Sequence, residues 1–125
     1  MASHLSTLPL TVVDECCAGG DADLMPAERA NCVADIFRAL SDPTRVRLLG
    51  HIAESPEGTA CACHLPEALG ISQPTMSHHL KKLTEAGLVT REQRGRWAHY
   101  TVVSSVLDVA RDFLGDANDS GRRCC

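Results

Sequence analysis

The sequence predicts a mainly α chain of about five helices carrying one two-stranded β-hairpin, and three observations predict it. Aromatic residues make up only 3% of the chain against 44% apolar residues, so the core must be aliphatic, which suits small packed helices better than a β-sandwich. Between His64 and Leu83 a short apolar helix, a Gly-x-Ser turn and a polar-faced helix follow one another. Two runs of strand-forming residues then flank Arg94-Gly95-Arg96, a glycine-bearing loop of hairpin length. A length of 125 residues leaves room for one ordinary core. No uncharged stretch approaches the ~18 apolar residues of a membrane span. The N-terminus has no Lys or Arg before Arg29 and only a short apolar run interrupted by Pro9, which is not a secretory signal. The expected location is the cytoplasm, with no membrane partner.

Residues 1–25 read as a flexible, cysteine-bearing arm: they lack periodicity, and Pro, Gly and acidic residues are scattered through them. A first helix begins near Pro26 and places Ala30, Val33, Ala34, Phe37 and Leu40 on one apolar face. Asp42-Pro43 reads as N-cap and first helical residue of a second helix, with Val46, Leu49, Ile52 and Ala53 on one side. Ser55 to Gly58 is a loop. A short helix starts near His64, because Pro66 is tolerated only in a first turn, and Gly70 ends it. The residues before it are then extended, so Cys61 and Cys63 share a face.

Ser72 caps the next helix, Pro74 sits in its first turn, Met76, Leu80 and Leu83 form its buried stripe, and Gly87 ends it. Strands follow from Leu88 to about Gln93 and from Trp97 to Val103. Ala98, Tyr100 and Val102 alternate onto one face. A last helix, about Ser105 to Leu114, repeats Val106, Val109, Ala110 and Phe113. The domain therefore spans 26–114, and 115–125 reads as a polar C-terminal tail.

Helix, turn, polar helix and basic hairpin in this order describe a helix-turn-helix followed by a wing. The charge agrees. The chain carries net −4, yet Ser72 to Tyr100 holds five basic residues (Lys81, Lys82, Arg91, Arg94, Arg96) against two acidic ones (Glu85, Glu92). Such a basic segment on an acidic body is a local footprint for phosphate. Candidate DNA contacts are Ser72, Gln73, Thr75, Ser77, His78, His79, Lys81 and Lys82 on the polar helix, with Arg94 and Arg96 at the hairpin tip.

Seven cysteines are the unusual count: Cys16, Cys17, Cys32, Cys61, Cys63, Cys124 and Cys125. In a cytosolic chain such thiols point to ligand or redox chemistry rather than structural disulfides. Cys32, beside Val33 on the first helix, reads as packing. Cys32 and Arg38 also spell C-x5-R, the anion loop of small phosphatases and arsenate reductases. That chemistry needs a Gly-rich loop after a strand, and this run is helical and lacks Gly, so no enzyme is expected.

"LSDPTRVRLL", "LGISQPTMSHHLKKLTEAGLV" and "RGRWAHYTV" resemble the ArsR/SmtB metal-sensing repressors over about residues 26–114. The resemblance implies a winged helix-turn-helix homodimer joined through its first and last helices. It also implies operator double-stranded DNA as partner and release of that DNA when a metal or metalloid binds. Cys61-Ala62-Cys63 falls on the family's C-V-C motif. The arsenite-type site needs a further Cys where Pro66 stands, and His64 replaces the motif's usual Asp. Glu15-Cys16-Cys17 resembles the arm cysteines of actinobacterial arsenic repressors and of the cadmium/lead sensors. The implied ligand set is thus Cys16, Cys17, Cys61 and Cys63. A last-helix zinc site is not expected, because Asp108, Asp112 and Asp116 have no His beside them.

Thiolates select soft ions, so trivalent arsenic or antimony is the expected inducer, with cadmium or lead as the alternative and no organic cofactor. A thiol-redox-sensing repressor and a winged helix with structural zinc only are the other readings the cysteines allow.

Overall fold

A computed structural model describes residues 24–123 of the chain, with side chains through Asp119. Cys16, Cys17, Cys124 and Cys125 lie outside the described residues. Five α-helices and three strands follow in the order α1 (Ala27–Ala39), α2 (Pro43–Glu54), β1 (Thr59–Cys61), α3 (Leu65–Leu69), α4 (Gln73–Glu85), β2 (Val89–Arg94), β3 (Trp97–Val102) and α5 (Ser104–Arg123). This is the winged helix-turn-helix expected from the sequence, with one addition. The sheet has three antiparallel strands in the order β1-β3-β2, not two. β1 pairs with β3 through Thr59↔Thr101, Ala60↔Tyr100 and Cys61↔His99, and β2 pairs with β3 from Val89↔Val102 to Arg94↔Trp97. The segment expected to be extended before α3 is this third strand only through Cys61; Ala62 and Cys63 form a turn instead.

The core is aliphatic, as the composition requires. Ile36, Leu48, Ile52, Leu65, Met76, Leu83, Leu88 and Val89 are almost wholly buried, and Tyr100 is the one buried aromatic among the described residues. Two helix faces differ from the expected ones. On α1 the core row is Val33, Ile36 and Ala39, while Ala30 and Ala34 are exposed. Apolar residues cover more than half of this helix, so periodicity alone does not choose the row that faces inward. Phe37 belongs to the neighbouring row, which meets α5, where its ring lies edge-on to Phe113 at 6.1 Å. On α2, Leu48, Leu49 and Ile52 are buried, whereas Val46 is half exposed and Ala53 exposed. Cys32 is exposed with a free thiol and not packed, because its position follows the exposed side of α1.

α5 continues through Arg123, nine residues beyond the expected end at Leu114. The polar stretch lacks an apolar period, but a nucleated helix propagates without one. Arg111 pairs with Asp108 at 3.0 Å, one turn away, and Arg29 of α1 reaches Asp116 at 3.9 Å. No helix among the described residues is long and apolar enough to cross a membrane.

Asp42 caps α2, its Oδ1 accepting from the Thr44 amide at 2.8 Å and the Arg45 amide at 3.3 Å. Desolvation pushes this carboxyl up, but the two amides and the His79 and Arg45 charges outweigh it and hold it below the ordinary 3.8. The cap therefore stabilises the fold above the unfolded value, and that contribution is lost as pH falls through the folded one. The melting temperatures of the parent and of Asp42→Ala should differ at neutral pH and converge in acid below pH 3.8. A gap that persists there would show that the carboxylate charge is not what stabilises α2.

Candidate nucleic-acid interface and thiol site

α3 and α4 meet through a turn whose geometry follows from Gly70. Its φ is 67°, a left-handed conformation that side chains with a Cβ adopt only at a cost. The Gly70 amide donates to the Glu67 carbonyl at 3.2 Å and the Ile71 amide to the Pro66 carbonyl at 3.0 Å, a Schellman closure of α3. Ser72 then opens α4. Its Oγ accepts from the Thr75 amide at 3.3 Å and donates to Thr75 Oγ1 at 3.0 Å. Met76, Leu80 and Leu83 fix α4 to the core, which turns Gln73, Thr75, Ser77, His78, Lys81 and Lys82 outward. Gly87 closes α4 in the same manner as Gly70 closes α3, with the Leu88 amide on the Leu83 carbonyl at 3.0 Å.

β2 and β3 form the wing, joined by Gly95 and Arg96, with Gly95 at φ 64°. Between α4 and the wing lies an open cleft of about 620 Å³. Of the residues singled out in the sequence, Gln73, Ser77, Lys81 and Arg96 line it together. Thr75 and His78 are exposed on α4 outside it, and Ser72 is engaged as the cap. His79 is half-buried, its Nδ1 3.4 Å from Arg45 Nη1 of α2. Lys82 faces a second, smaller cleft shared with Asp35, Arg38 and Arg45. Arg94 Nε donates to Glu92 Oε1 at 2.9 Å.

Cys61 and Cys63 converge. Their sulfurs are joined as a disulfide with the Cα atoms 5.3 Å apart, and the Cys63 amide donates to Cys61 Sγ at 3.2 Å. Both are half-buried between β1 and α3, the element that leads into the helix-turn-helix. Among the described residues no group of three or more His, Cys, Asp or Glu side chains is placed to hold a metal ion. The described part of the site therefore offers two sulfurs.

Sequence reasoning counted Arg91 in the basic segment without naming it as a contact and passed over Gln93 and Trp97; all three line the helix–wing cleft. The signal was the hairpin register: Arg91 pairs with Tyr100 and Gln93 with Ala98, so both share the face of the inward residues. His99 was also missed. It is the cross-strand partner of Cys61, and its buried Nδ1 has no hydrogen-bond partner among the described residues.

The pattern of the family described as bacterial regulatory protein, arsR family, matches residues 42–91, which run from the α2 cap through the helix-turn-helix into the wing. Over 92 residues the chain is 36% identical to the arsenical resistance operon repressor of Staphylococcus xylosus, covering 74% of this chain and 86% of that protein. The chain belongs to the arsR family. This arsR-family chain is a transcriptional repressor with a helix-turn-helix DNA-binding domain, not an enzyme. It is also 37% identical over 109 residues to a putative arsenical resistance operon repressor of Halobacterium salinarum, covering 82% of this chain and 87% of that protein. Among solved structures, the AntR antimony-specific transcriptional repressor is similar at TM-score 0.61 and 28% identity, covering 82% of this chain and 92% of that one.

Proposed function

We propose that this arsR-family repressor binds operator DNA as a homodimer and leaves it when trivalent arsenic or antimony binds cysteine thiolates. The observation that carries the reading is the convergence of Cys61 and Cys63 directly ahead of α3 and α4. Reduced, they form a soft two-sulfur pair attached to the reading head, and soft ligands select thiophilic ions over hard ones. A pyramidal arsenic(III) site takes three thiolates. Cys16 or Cys17 of the arm supplies the third, and both together supply a fourth for cadmium or lead. Relatives named for arsenical resistance and a neighbour named for antimony support the metalloid choice.

The dimer reading rests on α1 and α5. Exposed apolar residues Leu24, Ala30, Ala34 and Leu114 lie on or beside them, and a fold neighbour from Mycobacterium bovis is homodimeric. Two copies of α4 then enter successive major grooves, with half-sites roughly one turn, ~10 bp, or a multiple apart. Gln73, Thr75, Ser77 and His78 read bases or backbone. Lys81, Lys82 and Arg96 neutralise phosphates, so affinity falls with salt, while the Arg94 charge is met by Glu92. Ion binding ties the arm to the segment before α3 and shifts the equilibrium to a DNA-incompetent state. Such a protein works in the cytoplasm, where thiols stay reduced.

The test is fluorescence anisotropy of the protein on a DNA duplex it selects from a random pool, in reductant, titrated with arsenite, antimonite, cadmium, lead and zinc. Release by arsenite or antimonite near stoichiometry supports the reading. Release by cadmium or lead alone moves the site to four thiolates, and release by none of the ions overturns the metal-sensing claim. The Cys61–Cys63 disulfide favours one second reading, a thiol-redox repressor. That protein would release DNA with peroxide and ignore arsenite in reductant.

A further inference from the structure

We propose that Arg91 is the principal phosphate-binding cation of the wing, forming with Lys81 and Arg96 a phosphodiester site in the cleft between α4 and the hairpin. The proposal rests on the DNA-binding reading and deepens it, because the hairpin tip alone would single out Arg94 and Arg96.

Register comes first. Arg91 stands opposite Tyr100, which is buried, so Arg91 shares the face of the sheet that looks toward α4. It lines the cleft with Lys81 of α4 and Arg96 of the turn, whereas Arg94 does not. Among the described residues Glu85 is the one carboxylate on the cleft wall, and none of the three cations is in an ion pair. Three positive charges thus border one concave, solvent-open surface, where a passing polyanion gains most from them.

Preorganisation separates the two wing arginines. Arg91 Nη2 donates to Gln93 Oε1 at 2.7 Å, and Gln93 Nε2 in turn donates to the Gly95 carbonyl at 3.0 Å. The guanidinium is anchored through a neutral amide to the backbone of the turn. It keeps its full charge and its remaining N–H donors, and less rotamer freedom is left to lose on binding. Arg94 is anchored instead to the Glu92 carboxylate. Its charge is already compensated, and a phosphate approaching it meets a carboxylate as well. A guanidinium donates two parallel hydrogen bonds to phosphate oxygens, the geometry a duplex backbone presents.

The test is the salt dependence of DNA binding by the full chain, measured for the parent, Arg91→Gln and Arg94→Gln on a selected duplex and on a random-sequence duplex. Removing one phosphate contact lowers the slope of log affinity against log salt by about one and weakens both duplexes alike. Arg91→Gln should do this, with at least about a tenfold loss at low salt. Arg94→Gln should leave the slope unchanged. Arg91 is exposed, and an unchanged melting temperature would show that its loss is not a folding defect. An unchanged slope in Arg91→Gln, or an equal drop in Arg94→Gln, overturns the proposal while leaving the repressor reading intact. Failure of the parent to bind either duplex overturns the DNA-binding reading itself.

Discussion

A chain with Cys61 and Cys63 both replaced by serine is expected to bind its DNA as tightly as the parent and to stay bound when arsenite is added. The two cysteines sit where β1 leads toward α3, and neither lines the helix–wing cleft. Serine is close to cysteine in size, so the strand pairing Cys61↔His99 survives. What disappears is the soft donor pair, since a hydroxyl does not replace a thiolate toward arsenic(III). Typical coupling between ligand and DNA is ~1–3 kcal/mol, a shift of about 5–150-fold in DNA affinity, and the variant should show none of it. Cys16→Ser with Cys17→Ser should have the same phenotype through the arm. Normal release by either variant would remove that pair from the sensor. Anisotropy on one duplex, with and without arsenite, reads all three proteins.

The second large effect concerns the scaffold. Leu83 is wholly buried, and its carbonyl accepts the Leu88 amide that closes α4 against β2. Leu83→Ala removes buried methyl groups where α4, the sheet and the core meet, at a cost of about 2–5 kcal/mol. For a domain with a typical stability of roughly 5–15 kcal/mol that is a large share. A fall in melting temperature of about 10–30 °C is expected, measured at fixed protein concentration. A fall of a few degrees only would show that the helix is held by something other than this contact.

The fold was largely legible because its punctuation is local. Asp42 and Ser72 as caps, Pro66 fixing where α3 starts, and Gly70, Gly87 and Gly95 at the turns each act through their own backbone, and each stands where its chemistry demands. What was not legible is non-local. β1 is three residues long, and its partner lies some forty residues on, at Thr101, Tyr100 and His99. Nothing within the segment announces that pairing. The inward rows of α1 and α2 were ambiguous for a related reason: apolar residues cover both the core face and the face that meets α5 or stays exposed. The polar end of α5 carried no apolar period to read.

The candidate site divides in the same way. The outward polar face of α4 follows from the buried stripe Met76, Leu80 and Leu83. The cleft that gathers Arg91 with Lys81 and Arg96 follows only from sheet register. Cys61 and Cys63 were legible as a pair, but a turn at Ala62 and Cys63, not the expected extended chain, brings them together. The orphaned Nδ1 of His99 beside them depends on a pairing made across the sheet.

The most direct measurement titrates arsenite into the reduced protein–DNA complex while DNA release and titratable thiols are followed in the same samples. Release should rise with arsenite to one ion per site and coincide with the loss of about three thiols per ion, with Cys61 and Cys63 among those protected. DNA that stays bound while thiols are consumed, or release with Cys61 and Cys63 still reactive, would contradict the account.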